Sequence, residues 1–325
     1  MFSMDLRQFL VWTSITIGAI LAFNSPAAEF PTKPIRMVHS AAAGSSGDIL
    51  GRYLATFVSK ILGQSIYVEN IAGTGGTVGL IAVAKAPADG HTLLQVNQAH
   101  PLAENLYTNL QYKLAKDFAP ITQLATGYYI LNIHPSVPAR TLEELIRFAK
   151  AKPGQLNIGI AGNGSGVHLA AVLLQSSAGI DIQQVPYKGS IPALTAALAG
   201  EVQLIFLGVP SVHELVRSGK LRAIGITGPK RIASFPDLPP ISDTLPGYDI
   251  TLWQGIAAPA GTPRPVVNAI GGAYKKVLAM PDVIKKYADS DTDIVGSSPE
   301  EFAAYLNAQV KLMAQIVRAS PIQME

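Results

Sequence analysis

The chain has 325 residues, of which 48% are hydrophobic and 14% are charged, and its net charge of +3 is spread along the sequence. This composition supplies ample material for packed cores and argues against disorder, and the absence of a basic block argues against binding to nucleic acid or to a membrane surface. There is no cysteine, which excludes disulfides, thiolate metal sites and thiol catalysis.

The first residues have the features of a secretory signal. Arg7 precedes an apolar run over residues 9–23, and residues 25–27 (Ser-Pro-Ala) are of the small type found at signal cleavage sites. The run is too short to span a bilayer comfortably, which disfavours a membrane anchor. We assign residues 1–27 to a signal peptide and expect an exported protein, in keeping with a bacterial periplasm. The remaining length favours two domains.

The first predicted strand and helix are joined by a loop of small residues. Residues 35–39 (IRMVH) are typical of a buried strand, and the apolar spacing over 49–61 predicts an amphipathic helix that ends near Gly63. Between them, residues 40–48 (SAAAGSSGD) carry Asp48 as their only charge. Such a loop exposes backbone N–H groups where a helix leaves its first donors unpaired. The pattern therefore predicts an anion site built from the main chain.

The alternation of strands and helices continues along the chain. A strand at 65–70, a glycine loop at 72–76 with the helix after it, and a strand at 91–97 complete a βαβαβ unit. This unit implies a mostly parallel sheet with helices on both faces. A second block, over 156–227, repeats the pattern, and its glycine loop at 162–166 again leads into a helix. We expect two α/β lobes that face one another.

Two similar segments connect the blocks. Residues 127–145 and 252–270 each combine an extended apolar run, a proline-containing turn and a helix start. The chain needs two such crossover strands at the hinge to pass between two lobes and back. We place lobe 1 at 28–129 and 252–325, and lobe 2 at 130–251.

Motifs for cofactor and metal binding do not match. The glycines of GTGGTVG, at 73–79, depart from the G-x-G-x-x-G spacing of dinucleotide-binding loops, and no phosphate-loop pattern occurs. The histidines form no i,i+4 pair with neighbouring carboxylates, which disfavours a metal site. We expect neither a cofactor nor a metal.

A serine hydrolase is an open alternative. The G-x-S-x-G register fails at Ser46, because Asp48 stands where glycine is needed, and at Ser165, because Asn163 and Val167 flank it. A catalytic Ser165–His168 pair remains an alternative, although a helix-capping serine and a buried histidine are favoured. Asp48 complements the helix dipole, worth roughly 0.3–1 kcal/mol, or holds the N–H groups of its loop. We expect a protein that is not an enzyme.

An ordered set of motifs resembles the Bug receptors, the periplasmic solute-binding components of tripartite tricarboxylate transporters. The motifs are FPTKPIRMV, VENIAGTGGTVGLIAVAKAPADGHTLL, GSGVHLAAVLL, VPYKGSIPALTAALAG, GKLRAIGIT, PAGTPRPVV and SSPEEFAAYL, and they cover nearly the whole chain from Phe30. The resemblance implies a periplasmic-binding-protein architecture of type II, whose two lobes close on a small carboxylate. It also implies delivery to the membrane subunits of a transporter. We expect a monomer.

The resemblance also implies which residues contact the ligand. Loops 40–48 and 162–168 match those that hold one carboxylate group through backbone amides and ordered water. Asn97 and residues 188–190 resemble the cleft wall, and Leu207 stands where many members have aspartate. The expected site residues are Ser40, Ala42, Gly44, Ser45, Ser46, Asp48, Asn97, Gly162, Asn163, Gly164, Ser165, His168, Lys188, Gly189, Ser190 and Leu207.

Two departures from the family pattern bear on the ligand. Residues 40–43 leave a wall that is small where the family often has an aromatic residue and proline, and Leu207 removes a partner for an amine. Both argue against an amino acid and favour an apolar or aromatic carboxylate. A second function stays open, that of a ligand-sensing subunit signalling to a membrane sensor kinase.

Overall fold

The computed structural model describes residues 30–107 and 109–319, and the assigned signal peptide (1–27) lies outside them. The first half contains β1 (Ile35–His39), α1 (Ser46–Leu62), β2 (Ile66–Asn70), a 3-10 turn (Thr74–Gly76), α2 (Thr77–Ala84), β3 (Thr92–Asn97), α3 (Ala99–Leu106), α4 (Leu114–Asp117) and the start of β4 (Phe118–Ile133). The second half contains the end of β4, α5 (Leu142–Ala151), β5 (Asn157–Ile160), α6 (Gly166–Ala178), β6 (Gln183–Pro186), α7 (Ser190–Ala199), β7 (Leu204–Gly208), α8 (Val209–Arg217), β8 (Arg222–Ile226) and a 3-10 turn (Ile241–Asp243). The chain then returns to the first half with β9 (Thr251–Pro259), α9 (Arg264–Leu278), α10 (Pro281–Ala288), β10 (Asp293–Ile294) and α11 (Pro299–Ala319).

The strands form two half-sheets that share β4. The order is β2-β1-β3-β9-β4-β10 in the first half-sheet and β8-β4-β7-β5-β6 in the second. β1 is parallel to β2 and β3, and β5 is parallel to β6 and β7, whereas β4 and β9 run antiparallel to their neighbours. The expected α/β class is confirmed.

β4 changes partners at Tyr129. Residues 118–128 pair with β9, and residues 129–133 pair with β7, so that a single strand passes from one half-sheet to the other. The return passage leads into β9 through Ile250, whose N–H donates to Thr227 O at 3.2 Å. The sheet therefore positions Tyr129 at the junction of the two halves.

Helix capping follows the sequence closely. Thr141 Oγ1 accepts from Glu144 N at the start of α5, and Ser298 and Glu301 bond each other reciprocally before α11. Ser298 and Glu301 form a capping box, whereas the Glu144 carboxylate accepts from Arg140 N, one residue before the Thr141 cap. Both arrangements satisfy otherwise unpaired N–H groups and so fix where each helix begins.

Each half has its own hydrophobic core, and α11 packs on both. Phe302 at its start lies with Trp253 in a core of the first half, and Met313 near its end lies with Leu204 in a core of the second. Within the residues described, no helix is both long enough and apolar enough to cross a membrane.

Candidate functional site

A cavity of about 620 Å³ lies between the two halves. The first half lines it with the loop between β1 and α1, with the glycine loop 72–76 and with residues that follow β3. The second half contributes the loop between β5 and α6 and the loop between β6 and α7. Its volume falls within the usual range for small-molecule sites.

The halves are in contact on two sides of this cavity. A Cβ placed on Gly164 would lie 3.5 Å from Gly75 Cα, so these two loops touch. A Cβ placed on Gly189 would lie 3.8 Å from the Cβ of Ala42, which marks the second contact. At these two places the loops of the two halves therefore lie close together.

The loop before α1 is held by Asp48. Ser45 is the N-cap, and its Oγ accepts from Asp48 N at 3.3 Å. The Asp48 carboxylate accepts from Gly44 N at 2.9 Å, and Arg52 Nε and Asn70 Nδ2 donate to its other oxygen, both at 3.0 Å. Burial alone would raise the pKa of Asp48, but these bonds outweigh it and the pKa lies below its usual value. Asp48 thus stays ionised and fixes the loop.

His168 takes the corresponding position at the start of α6. Ser165 is the N-cap and accepts from His168 N at 3.2 Å, and His168 Nδ1 accepts from Gly164 N at 2.9 Å. Burial lowers the pKa of His168, against an opposing hydrogen bond with Gln184. Because Nδ1 is an acceptor, the neutral ring carries its proton on Nε2. Asp48 and His168 are each the third residue of their helix, and each accepts a hydrogen bond from the glycine N–H four residues earlier. Two different side chains thus hold the two loops in the same way.

Both helices begin with amides that have no protein acceptor. Within the described residues, the N–H groups of Gly47, Gly166 and Val167 donate to no protein atom, and all three residues line the cavity. Helix N-termini carry partial positive charge as well as unpaired donors. Two of them at one cavity suit a carboxylate without a matching cation. Lys188 is the sole lysine or arginine that lines the cavity in the described chain.

Two buried histidines support hydroxyl groups of the first loop. His39 Nε2 lies 2.9 Å from Ser45 Oγ, and His100 Nε2 lies 2.5 Å from Ser40 Oγ. Burial, and then the charge on His39, lower the pKa of His100 to about 3, so its ring is neutral at pH 7. Asn97 N donates to His100 Nδ1 at 3.2 Å, which leaves the ring proton on Nε2 and makes Ser40 the acceptor.

The predicted site residues fall into two groups. One group lines the cavity: Ser40, Ala42, Ser45, Asn97, Gly162, Asn163, Ser165, Lys188, Gly189, Ser190 and Leu207. The other group forms the framework of the two loops, because Gly44 and Gly164 donate their amides to Asp48 and His168, and Ser46 begins α1. Contact between any of these residues and a ligand remains a prediction.

Other cavity residues were missed from the sequence. They include His39, Gln98, Tyr107, Tyr129, Tyr187, Gln254, the glycine loop residues Gly73, Gly75 and Gly76, and the helix-start residues Gly47, Gly166 and Val167. The glycine loop is recognisable in the sequence, but its spacing departs from that of a dinucleotide-binding motif, so the sequence alone predicts no ligand contact there. Tyr129 and Gln254 lie on β4 and β9, and only strand pairing brings them to the helix starts.

Ser165 and His168 are not arranged as a nucleophile and its base. Ser165 Oγ accepts from the backbone of His168, and the ring Nδ1 already accepts from Gly164 N. These bonds assign Ser165 to capping and His168 to loop support. The described residues also contain no group of histidine, aspartate and glutamate that would hold a metal ion.

Comparisons with known sequences identify the family of the chain. The model of the family described as tripartite tricarboxylate transporter family receptor matches residues 50–322. BugT of Bordetella pertussis is 31% identical over 319 residues, which cover 97% of this chain and 98% of BugT.

Two solved structures share the fold over 89% of this chain, each at 29% identity and a TM-score of 0.84. They are Rpa4515 of R. palustris with adipate, covered to 98%, and MatC of Rhodopseudomonas palustris with bound malate, covered to 100%. The family model spans most of the chain, and a relative above 30% identity aligns over nearly its full length. The chain therefore belongs to the tripartite tricarboxylate transporter receptor family, whose Bug members its sequence motifs resemble.

Proposed function

We propose that this protein is a periplasmic solute-binding receptor that captures a small organic carboxylate between its two halves and delivers it to the membrane subunits of a tripartite tricarboxylate-type transporter. The observation that carries this proposal is the pair of helix starts, α1 and α6, whose unpaired amides face one cavity. An anion sealed between them is stabilised more strongly than in water, because the local dielectric constant is lower. The adipate and malate held by related receptors support the ligand class.

The proposal includes the organisation expected from the sequence. Residues 1–27 direct export and are removed, residues 28–129 with 252–325 form lobe 1, and residues 130–251 form lobe 2. The protein acts as a monomer whose lobes close on the ligand, and it catalyses no reaction. The alternative of a sensing subunit predicts the same ligand chemistry but a different partner. Finding genes for transporter membrane subunits, rather than a sensor kinase, beside this gene supports delivery.

Isothermal titration calorimetry of the mature protein tests the proposal. The ligands are benzoate, succinate, malate, adipate and citrate, and circular dichroism confirms that the protein is folded. We expect saturable binding of at least one acid, weakened by Gly166→Ala and unaffected by Gly272→Ala. Folded protein that binds none of these acids at millimolar concentration contradicts the proposal. Ester turnover that disappears in Ser165→Ala would instead revive the hydrolase alternative.

A further inference from the structure

Tyr129 is oriented by a chain of hydrogen bonds that starts at a backbone amide. Trp253 N donates to Gln98 Oε1 at 3.3 Å, which fixes the orientation of the Gln98 amide. Gln98 Nε2 then donates to Tyr129 Oη at 2.5 Å. The single proton of the Tyr129 hydroxyl has no protein acceptor within the described chain. Burial raises the pKa of Tyr129, so the hydroxyl keeps that proton.

Gln254 is oriented by a second chain of the same kind. Gln95 Nε2 donates to the backbone oxygen of Gly47 at 2.9 Å and to Gln254 Oε1 at 2.8 Å. The oxygen of Gln254 is therefore occupied as an acceptor, and its Nε2 group is the end left for the cavity. Both side chains are more than nine-tenths buried, with exposures of 6% for Tyr129 and 8% for Gln254.

The two side chains end beside the two helix starts. A Cβ placed on Gly166, the first residue of α6, would lie 2.5 Å from Tyr129 Oη. A Cβ placed on Gly47, in the first turn of α1, would lie 3.2 Å from Gln254 Nε2. Tyr129 Oη therefore lies beside the start of α6 and Gln254 Nε2 beside the start of α1, and all four residues line the cavity.

Ser40 adds a third donor to the lining of the cavity. The bond from Asn97 N to His100 Nδ1 leaves the ring proton of His100 on Nε2, and Ser40 Oγ accepts that proton in a hydrogen bond. The hydroxyl proton of Ser40 is therefore available to a group in the cavity. No aspartate or glutamate side chain lines the cavity in the described chain. A ligand ammonium group would therefore find no anionic side chain to pair with in the cavity. Burying an unpaired charge is energetically unfavourable.

We propose that Tyr129 Oη, Gln254 Nε2 and Ser40 Oγ donate hydrogen bonds to the bound acid, so that this site selects ligands whose buried polar groups are acceptors only. Ionised carboxylates, with or without keto or ether oxygens, satisfy this requirement. Amino acids and primary amides satisfy it less well, because an N–H group placed against these three donors would remain unpaired. The inference rests on the proposed function and names its substrate class.

Calorimetry on two variants with matched controls tests the inference, using the acid of the panel that binds the wild type most tightly. Tyr129→Phe removes only the hydroxyl group. We expect binding about 10- to 100-fold weaker, as is usual for the loss of a hydrogen bond to a charged group. The control is Tyr248→Phe, which removes a buried hydroxyl that donates to Ala170 O at 2.9 Å away from the cavity. This control should bind as the wild type does.

Gln254→Glu keeps the shape of the side chain and its bond from Gln95, but it presents an acceptor in place of the Nε2 donor. We expect this variant to bind the acid at least about 100-fold more weakly, because an oxyanion then faces the ligand carboxylate. Gln111→Glu makes the same change of charge at an exposed position beside Lys85 and should bind normally.

The outcomes separate the two proposals. A wild type that binds no acid overturns the proposed function, and this inference falls with it. A wild type that binds an acid, with Tyr129→Phe and Gln254→Glu both within about threefold of it, overturns the inference alone. If Tyr129→Phe does not fold, Gln254→Glu decides the outcome. Wild-type binding of the corresponding primary amide or amino acid as tightly as the acid also overturns the inference.

Discussion

Gly166 is the point at which one added methyl group should hold the two halves apart. A Cβ at this position would lie 2.4 Å from Gln98 Nε2 and 2.5 Å from Tyr129 Oη, whereas ordinary contacts are at least 3.4 Å. Closing with alanine at this position therefore requires either that the ends of the Gln98 and Tyr129 side chains move by about 1 Å, which disturbs the hydrogen bond between them, or that the halves stay apart by a similar distance. Overpacking of this size costs about 1–3 kcal/mol.

The cost should appear in binding rather than in folding. Gln98 belongs to the first half and Gly166 to the second, so the contact with Gln98 forms only when the halves close. Gly166→Ala should weaken binding of the tightest-binding acid by about 5- to 150-fold in calorimetry. Gly272→Ala, in α9, places its methyl where no atom lies within 4 Å. That control should stabilise the protein by about 0.5–1 kcal/mol and leave binding unchanged. A folded Gly166→Ala protein with wild-type affinity would refute the closure argument.

Two further predictions concern buried titratable groups. Asp48→Asn should lower the free energy of unfolding at pH 7 by about 1–3 kcal/mol. Because the folded-state pKa of Asp48 lies below its unfolded value, the carboxylate stabilises the fold above about pH 4 and less as pH falls through the folded pKa. Denaturant titrations should show the gap to wild type narrowing between pH 5 and pH 3, and a constant gap would contradict this. The pKa of His100 falls to about 3 on folding, so between about pH 6 and pH 3 the unfolded chain binds up to one more proton at this residue, and this contribution lowers the free energy of unfolding by up to about 1.4 kcal/mol for each unit by which the pH falls. His100→Gln should reduce the slope by this amount and leave the contributions of His39 and His168, whose pKa values burial also lowers, whereas His213→Gln, at the surface, should keep the wild-type slope. Equal slopes in the two variants would contradict the assignment.

The loops of the site could be anticipated because their signal is local. Residues 40–48 and 162–168 are runs of small residues placed directly before helices, and that arrangement alone leaves amides uncovered. The capping role of Ser165 could also be predicted, since serine is a common N-cap residue. The structure brings both loops to one cavity.

The side chains that complete the site carry no local signal. Gln98 meets Trp253 only because β3 pairs with β9, at a separation of 155 residues along the chain. In the sequence, Tyr129 cannot be distinguished from the other apolar residues of its strand. Its place at the junction follows only from the change of partners of β4 at this residue. The sequence also left open whether Asp48 holds its loop, and the bond from Gly44 N shows that it does.

The central claim is that main-chain amides at two helix starts hold the acid. A crystal structure of the mature protein with the tightest-binding acid tests this claim most directly. The account predicts carboxylate oxygens within about 2.7–3.2 Å of the amide nitrogens of Gly47 and of Gly166 or Val167. A carboxylate bound instead to the Lys188 ammonium, with those amides unpaired or bonded only to solvent, would contradict it.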